Sequence, residues 1–312
     1  MKKAVASGAE IRKHYYLNQY VVIAPGRGTR PDSFSARLPS HRQETPKSPP
    51  IERDAAILSI PGENNRWAVK VIANKFPALS PDNPKAFGRQ EIVIETPEHN
   101  LEFSDLSLEQ IMRIFAAYGD RLQKLSQLAG IRYVSVFKND GASAGASIAH
   151  AHSQIAALPL VPPELEAEAA TVDEYYDEHQ SCPVCDLLIW ETNQKVRVVY
   201  QDKSVVAITP YASRYSYEVW IIPQRHTGSF TALKHDELHS AATILKNITT
   251  KLDSAHISYN YFLQNALDQR DHHFILKLEP RPNVWAGLEL GTGIIINQTA
   301  PETAALWYKN KL

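Results

Sequence analysis

Apolar residues recur along the chain with two different periods, and the order in which those periods alternate occurs twice. In the first stretch Trp67-Ala-Val-Lys-Val-Ile-Ala-Asn-Lys-Phe76 and Glu91-Ile-Val-Ile-Glu-Thr-Pro-Glu-His99 read as strands. Ser107 and Gln110 have capping-box spacing, and Leu108, Ile111, Phe115, Tyr118, Leu122 and Leu125 follow at threes and fours, which predicts an amphipathic helix. Residues 133–139 predict the next strand, and a histidine-bearing strand follows at His150. The second stretch keeps the plan: strands at 196–200, 205–208 and 218–226, a helix carrying Leu238, Ala242, Leu245, Ile248 and Leu252, a strand at 259–263 and another at His273. Phe103 and Leu106 stand four and seven residues past His99, and Phe230 and Leu233 stand the same distances past His226. The expected fold is α+β, two tandem units (1–165 and 166–312), each an antiparallel sheet with packed helices. Near the join, Pro162-Pro163 opens a predicted helix whose Glu164, Glu166, Glu168, Asp173, Glu174, Asp177 and Glu178 read as a solvated acidic face. Residues 37–52, rich in Pro, Ser and charge, read as an exposed loop.

Charge changes the picture by exclusion. The 312 residues carry 33 Lys+Arg against 34 Asp+Glu, a formal charge of −1, so nucleic acid is not an expected partner. No apolar run is long enough to span a membrane, and Met1-Lys2-Lys3 leads into no hydrophobic leader region, so a cytoplasmic chain without membrane contact is expected. Cys182 and Cys185 are the only cysteines. One C-x-x-C pair builds no disulfide scaffold and is either a redox couple or half of a metal site.

The segment richest in chemistry is Asn139-Asp-Gly-Ala-Ser-Ala-Gly-Ala-Ser-Ile-Ala-His-Ala-His-Ser-Gln154. In a strand, His150, His152 and Gln154 share one face at a spacing of roughly 7 Å. Upstream, Gly141, Ser143, Gly145 and Ser147 form a small-residue loop whose backbone N–H groups and hydroxyls suit a phosphate. A neutral imidazole can attack an α-phosphorus when its other nitrogen is held by an acceptor, and the Gln154 amide can donate to a non-bridging oxygen as charge builds.

This motif, with Asn139 and Gly145-Ala-Ser147 before it, resembles the active-site strand of the galactose-1-phosphate uridylyltransferase family of the histidine-triad superfamily. The stretches Ile23-Ala-Pro-Gly-Arg27-Gly-Thr-Arg30-Pro, Asn74-Lys-Phe76-Pro-Ala-Leu, Pro210-Tyr-Ala-Ser213 and Ala286-Gly-Leu-Glu289-Leu-Gly-Thr-Gly293 also resemble that family, in its order. The resemblance implies a ping-pong nucleotidyltransferase acting on a nucleoside diphosphate sugar and a sugar 1-phosphate, with His152 as nucleophile and His150 in support. It further implies that Arg27 and Arg30 face phosphates and that Asn74 and Phe76 line the nucleoside pocket. Asn139, Gly145, Ser147 and Gln154 would serve the transferred phosphate, Glu289 would meet the sugar, and the chain would form a homodimer. A uridylyltransferase of UDP-hexose and hexose 1-phosphate is the leading expectation. Ala151 and Ser153 instead resemble relatives that use adenine nucleotides, which points to an ADP-sugar phosphorylase or adenylyltransferase. A dinucleotide hydrolase and an inert nucleotide-binding scaffold are the remaining alternatives.

For the cysteines, zinc needs four ligands, and the second repeat supplies His226 and His273. A Cys182, Cys185, His226, His273 set would be a structural zinc site, with His272 an adjacent rival for His273. In the first repeat the sequence departs from the family: Lys47-Ser48-Pro-Pro-Ile51 stands where relatives carry a C-x-x-C. No zinc is expected there, and His99 and His150 are expected to hydrogen-bond locally. In the second repeat Ile275 replaces the nucleophile, so only the first half is expected to be catalytic.

Overall fold

The computed structural model describes residues 8–29, 54–63, 66–148, 150–267 and 272–310. Arg30 and the predicted loop at 37–52 lie outside the described residues, as do Lys47, Ser48 and Ile51.

Among the described residues, ten strands form one sheet. They are β3 (Ala56–Pro61), β4 (Trp67–Ala73), β5 (Arg89–Ile94), β6 (Tyr133–Asp140), β7 (His152–Leu158), β8 (Val198–Gln201), β9 (Val205–Ile208), β10 (Val219–Pro223), β11 (Tyr259–Gln264) and β12 (Ile275–Pro280). Their order across the sheet is β3-β4-β5-β7-β6-β11-β12-β10-β9-β8. Read outward from the middle, each half therefore has one topology: β6, β7, β5, β4, β3 on one side and β11, β12, β10, β9, β8 on the other. The halves join where β6 pairs antiparallel with β11 and Phe137 faces Phe262 in register. A smaller sheet sets β1 (Glu10–Lys13) and β2 (Tyr20–Ile23) beside β13 (Ile295–Asn297), so opposite ends of the chain meet.

The two long helices, α1 (Leu108–Ser126) and α4 (His235–Ser254), occupy one face of the ten-stranded sheet. The spaced apolar side chains of α1 from Ile111 to Leu125 pack with Val134 and Val136 of β6, and with Ala242, Leu245 and Ile248 of α4. Burying each such side chain contributes about 1.5–3 kcal/mol. Ser107 caps α1 by accepting from the Gln110 N–H at 3.1 Å. The reciprocal half of a capping box is replaced, because the Gln110 amide donates to the carbonyls of Ala68 and Glu95 and sews the helix start to the sheet.

Helix α2 (Pro163–His179) begins where the double proline predicts, and α3 (Pro183–Gln194) follows. Its face is not wholly solvated as expected: Glu168 turns inward and accepts from the Tyr16 hydroxyl at 3.0 Å. Two short helices, α5 (Gly287–Thr292) and α6 (Pro301–Lys309), close the chain. Among the described residues no helix is long and apolar enough to cross a membrane.

Candidate functional site

Strand alternation decides which side chains of the central strands point away from the helices. In β7, Ser153, Ile155 and Ala157 face the helices, with the Ser153 hydroxyl bonded to Tyr118 of α1 at 2.7 Å. His152 and Gln154 therefore face the other way. Gln154 stands opposite Phe137 in the β6–β7 ladder, and Asn139 and His152 lie two residues beyond that pair on the same face.

The expected three-residue face is corrected at one end. β7 begins at His152, and His150 sits in the bend before it. Its ring turns to Thr96 and His99: Nε2 lies 2.6 Å from the Thr96 carbonyl oxygen and Nδ1 lies 2.9 Å from Nδ1 of His99. The two histidines hydrogen-bond locally. The backbone of His150 serves His152 directly, because its carbonyl lies 2.9 Å from the His152 Nδ1. A carbonyl only accepts, so Nδ1 carries the proton and Nε2 carries the lone pair.

Beneath this strand lies a charged cluster. Lys138, buried at 1% exposure, donates to Glu95 at 2.8 Å and to the His152 carbonyl at 3.0 Å, and its ammonium lies 3.6 Å from Asp140. Burial disfavours the lysine's charge, but Glu95 and Asp140 outweigh it and hold the pKa above the usual lysine range. Burial, reinforced by Lys138, depresses His152 to about 4. Its imidazole is consequently neutral near pH 7, the form that attacks phosphorus. Lys138 and Glu95 were not singled out from the sequence. A signal was there: Lys138 and Asp140 keep the phase of Val134 and Val136 in a strand whose inward face is apolar.

The loop before the motif is built differently from the expected anion cradle. Gly141 and Gly145 have φ of 82° and 84°, a left-handed backbone open to glycine at little cost. The turn between them uses its own amides, as Ala144 and Ala146 donate to the Gly141 carbonyl and Gly145 donates to that of Ala142. What faces outward includes the side chains of Ser143 and exposed Ser147. Asn139, Ser143 and Ala144 line a cleft of about 660 Å³, together with Phe137, Phe262, Asn260, Arg281, Tyr215 and Trp285.

Arg27, half-buried in a short turn (Pro25–Thr29), and Glu289 of α5 line one smaller cavity of about 100 Å³, which shares Tyr215 and Trp285 with the large cleft. Glu289 also caps its own helix by accepting from the Ala286 N–H at 3.0 Å. Asn74 makes a side-chain turn with the Phe76 N–H at 2.9 Å. Phe76 is 92% exposed, so it is not a core aromatic.

In the second half the four expected ligands converge: the donor atoms of Cys182, Cys185, His226 and His273 all lie within 4.8 Å of one another. His273 Nε2 lies 2.9 Å from the Pro223 carbonyl, which leaves Nδ1 as the free ligand atom, 3.6 Å from the Cys185 sulfur. The contact between the two thiols pulls the pKa of Cys182 below the usual thiol range and pushes that of Cys185 above it. The four donors are a set that suits a tetrahedral metal ion, and the Pro223 carbonyl holds the His273 ring with Nδ1 toward the thiols. His272 stands outside it and helps line a separate small cavity with Glu168 and Tyr16. Ile275 opens β12 as His152 opens β7, so the second half offers no imidazole at that position.

A sequence profile described as "Galactose-1-phosphate uridyl transferase, N-terminal domain" matches residues 64–162. The chain is 32% identical to the ADP-glucose phosphorylase of Arabidopsis thaliana over 324 residues, covering 95% of this chain and 91% of that protein. It is 31% identical to the galactose-1-phosphate uridylyltransferase of Thermotoga maritima over 275 residues, covering 80% of this chain and 85% of the other. The chain belongs to the galactose-1-phosphate uridylyltransferase family. A crystal structure of an Arabidopsis thaliana ADP-glucose phosphorylase with bound ADP-glucose superposes with a TM-score of 0.84 at 31% identity, covering 97% of this chain and 98% of that one.

Proposed function

We propose that the chain transfers a nucleoside monophosphate from a nucleoside diphosphate sugar to a phosphate acceptor by way of His152, and that the donor is an ADP-sugar. The observation that carries the transfer chemistry is the Nδ1–H bond to the His150 carbonyl. It leaves Nε2 free to attack the α-phosphorus, forming a P–N bond as the bond to the sugar 1-phosphate breaks. The imidazole's gained positive charge is shared with the His150 carbonyl, and no base is needed. A phosphate oxygen then attacks the same phosphorus, the P–N bond breaks, and neutral His152 returns. Inorganic phosphate as acceptor yields ADP and the sugar 1-phosphate.

The adenine assignment is supported by the relative that spans both chains almost end to end, and by Ala151 and Ser153. Uridylyl transfer to hexose 1-phosphate is the second reading, favoured by the Thermotoga maritima relative. Asn139, Gln154 and Ser147 would meet the transferred phosphate and Glu289 the sugar. Arg27 and Arg30 would serve phosphates, with Asn74 and Phe76 at the nucleoside. The exposed Phe76, Val284, Leu288 and Leu290 suit a homodimer in which one copy completes the other's site. Residues 1–165 and 166–312 would be the two duplicated units, and the Cys₂His₂ group would hold a structural zinc.

Separate incubation with ADP-glucose and UDP-glucose, without acceptor, followed by intact mass, tests this reading. An adenylyl adduct is expected. A uridylyl adduct alone would reassign the nucleotide, an adduct on His152→Gly would remove the nucleophile assignment, and no adduct or turnover with either sugar would leave an inert scaffold.

A further inference from the structure

The strongest unexplained polar chain near the site crosses the seam between the two halves. Asn260 lies on β11 opposite Asn139 of β6. Its Nδ2 donates to the Asn139 Oδ1 at 2.8 Å and to the Ala144 carbonyl at 2.9 Å, while its Oδ1 accepts from the Arg281 Nε at 2.5 Å. Two of these partners have no choice of role, because a guanidinium N–H only donates and a backbone carbonyl only accepts. The Asn260 amide is therefore fixed in one orientation, and so is that of Asn139, whose oxygen must face Asn260. The Asn139 Nδ2 is the amide atom left to the cleft that Asn139 lines.

Arg281 is itself held. Its guanidinium donates to Glu279 at 3.0 Å and lies 4.0 Å over the Tyr215 ring, which stacks on Trp285 at 4.9 Å. The half that lacks a nucleophile thus reaches across the β6–β11 seam to the side chain beside the small-residue loop.

We infer that Asn260, clamped by Arg281, is a positioning residue that turns the Asn139 amide so that its N–H, rather than its oxygen, meets the phosphate in transfer. Asn260 touches no reacting atom. Its work is to exclude the flipped amide, which would set a carbonyl oxygen against the phosphate where charge develops. This role rests on the nucleotidyl-transfer reading above.

The test uses the full-length chain, ADP-glucose and single-turnover adduct formation followed by intact mass. Asn260→Asp keeps an acceptor for Arg281 but removes the donor, so that Asn139 must offer its own N–H to the new carboxylate and turn its oxygen to the cleft. The expected result is a saturating rate of the folded fraction lower by about 10²-fold and a half-saturating ADP-glucose concentration within about threefold, with some loss of melting temperature because the carboxylate faces the Ala144 carbonyl that Asn260 now satisfies. A purely structural role predicts the lower melting temperature with the saturating rate of the folded fraction intact. A rate within about twofold of wild type in a folded Asn260→Asp protein overturns the inference. If that variant fails to fold, Arg281→Lys decides, since it loosens the clamp while sparing both asparagines. An unchanged saturating rate there overturns the inference, and a loss of about tenfold with unchanged melting supports it. Failure of the wild-type protein to form an adduct with either ADP-glucose or UDP-glucose overturns the transfer reading itself, whereas a wild-type adduct with an unaffected Asn260→Asp rate removes only the role of Asn260.

Discussion

His152 donates its Nδ1–H to the carbonyl of His150, two residues back in its own chain, at 2.9 Å. This contact fixes both tautomer and ring direction without any other side chain. The bond is available because His150 stands before the first residue of β7, where its carbonyl is not taken up by the β6–β7 ladder.

Removing the ring should remove the reaction. His152→Asn keeps the strand and a polar side chain but offers no nucleophilic nitrogen, and steady-state turnover is expected to fall by about 10⁴-fold or more with no adduct in the mass spectrum. A variant retaining more than about a tenth of wild-type turnover would place the nucleophile elsewhere.

The depressed pKa sets a pH window. Because burial and then Lys138 lower His152 from 6.5 to about 4, adduct formation should stay level from pH 7 to about 5 and decline toward pH 4. The linkage has a definite sign: between pH 6.5 and about 4 the unfolded chain binds a proton that the folded chain refuses. Stability contributed by neutral His152 is therefore present above pH 6.5 and lost as pH falls, by up to about 3 kcal/mol. Buried His14, lowered to about 3 by burial and then by Lys277, acts in the same direction. Urea unfolding at pH 7.5 and 5 measures the loss, and equal stabilities would contradict it.

Lys138→Met deletes the cation paired with Glu95 beneath β7. Breaking a buried pair from one side typically costs about 3–5 kcal/mol, so denaturant midpoints should drop sharply. The Lys138→Met/Glu95→Leu double variant should recover part of that loss, and a double-mutant cycle showing no coupling would refute the pairing.

The metal centre should be separable from the chemistry. Elemental analysis is expected to give about one zinc per chain, and about two would contradict the expectation drawn from Ser48 and Ile51. Cys185→Ser should reduce the metal to below about 0.2 per chain and lower the melting temperature. Four protein ligands leave no open coordination position for water, so the folded fraction should still form the His152 adduct.

Much of this was legible from residue order. The helical spacing from Ile111 to Leu125, the Cys182–His273 ligand set and the His152–Gln154 face all depend on local periodicity or on residue types with few alternative uses, and such patterns survive translation into three dimensions. The failures were local hydrogen-bond choices. The small-residue loop spends three amides on its own turn, the Gln110 side chain sews α1 to the sheet in place of completing the cap, and Glu168 turns inward to Tyr16. Each competing partner lies close in energy to water or to a neighbouring backbone group, so composition alone does not rank them.

By itself, then, the sequence determined the duplicated α+β plan, the shared strand face of His152 and Gln154 and the cysteine–histidine group, because hydrophobic period and side-chain chemistry are properties of short segments. Only the tertiary structure decided that Lys138 and Glu95 lie under His152, and that Asn260 of one half orients Asn139 of the other. Those partners are 43 and 121 residues apart. Their contact follows from sheet register across the β6–β11 seam and from helix packing, which bring distant side chains to one place only when the whole core closes.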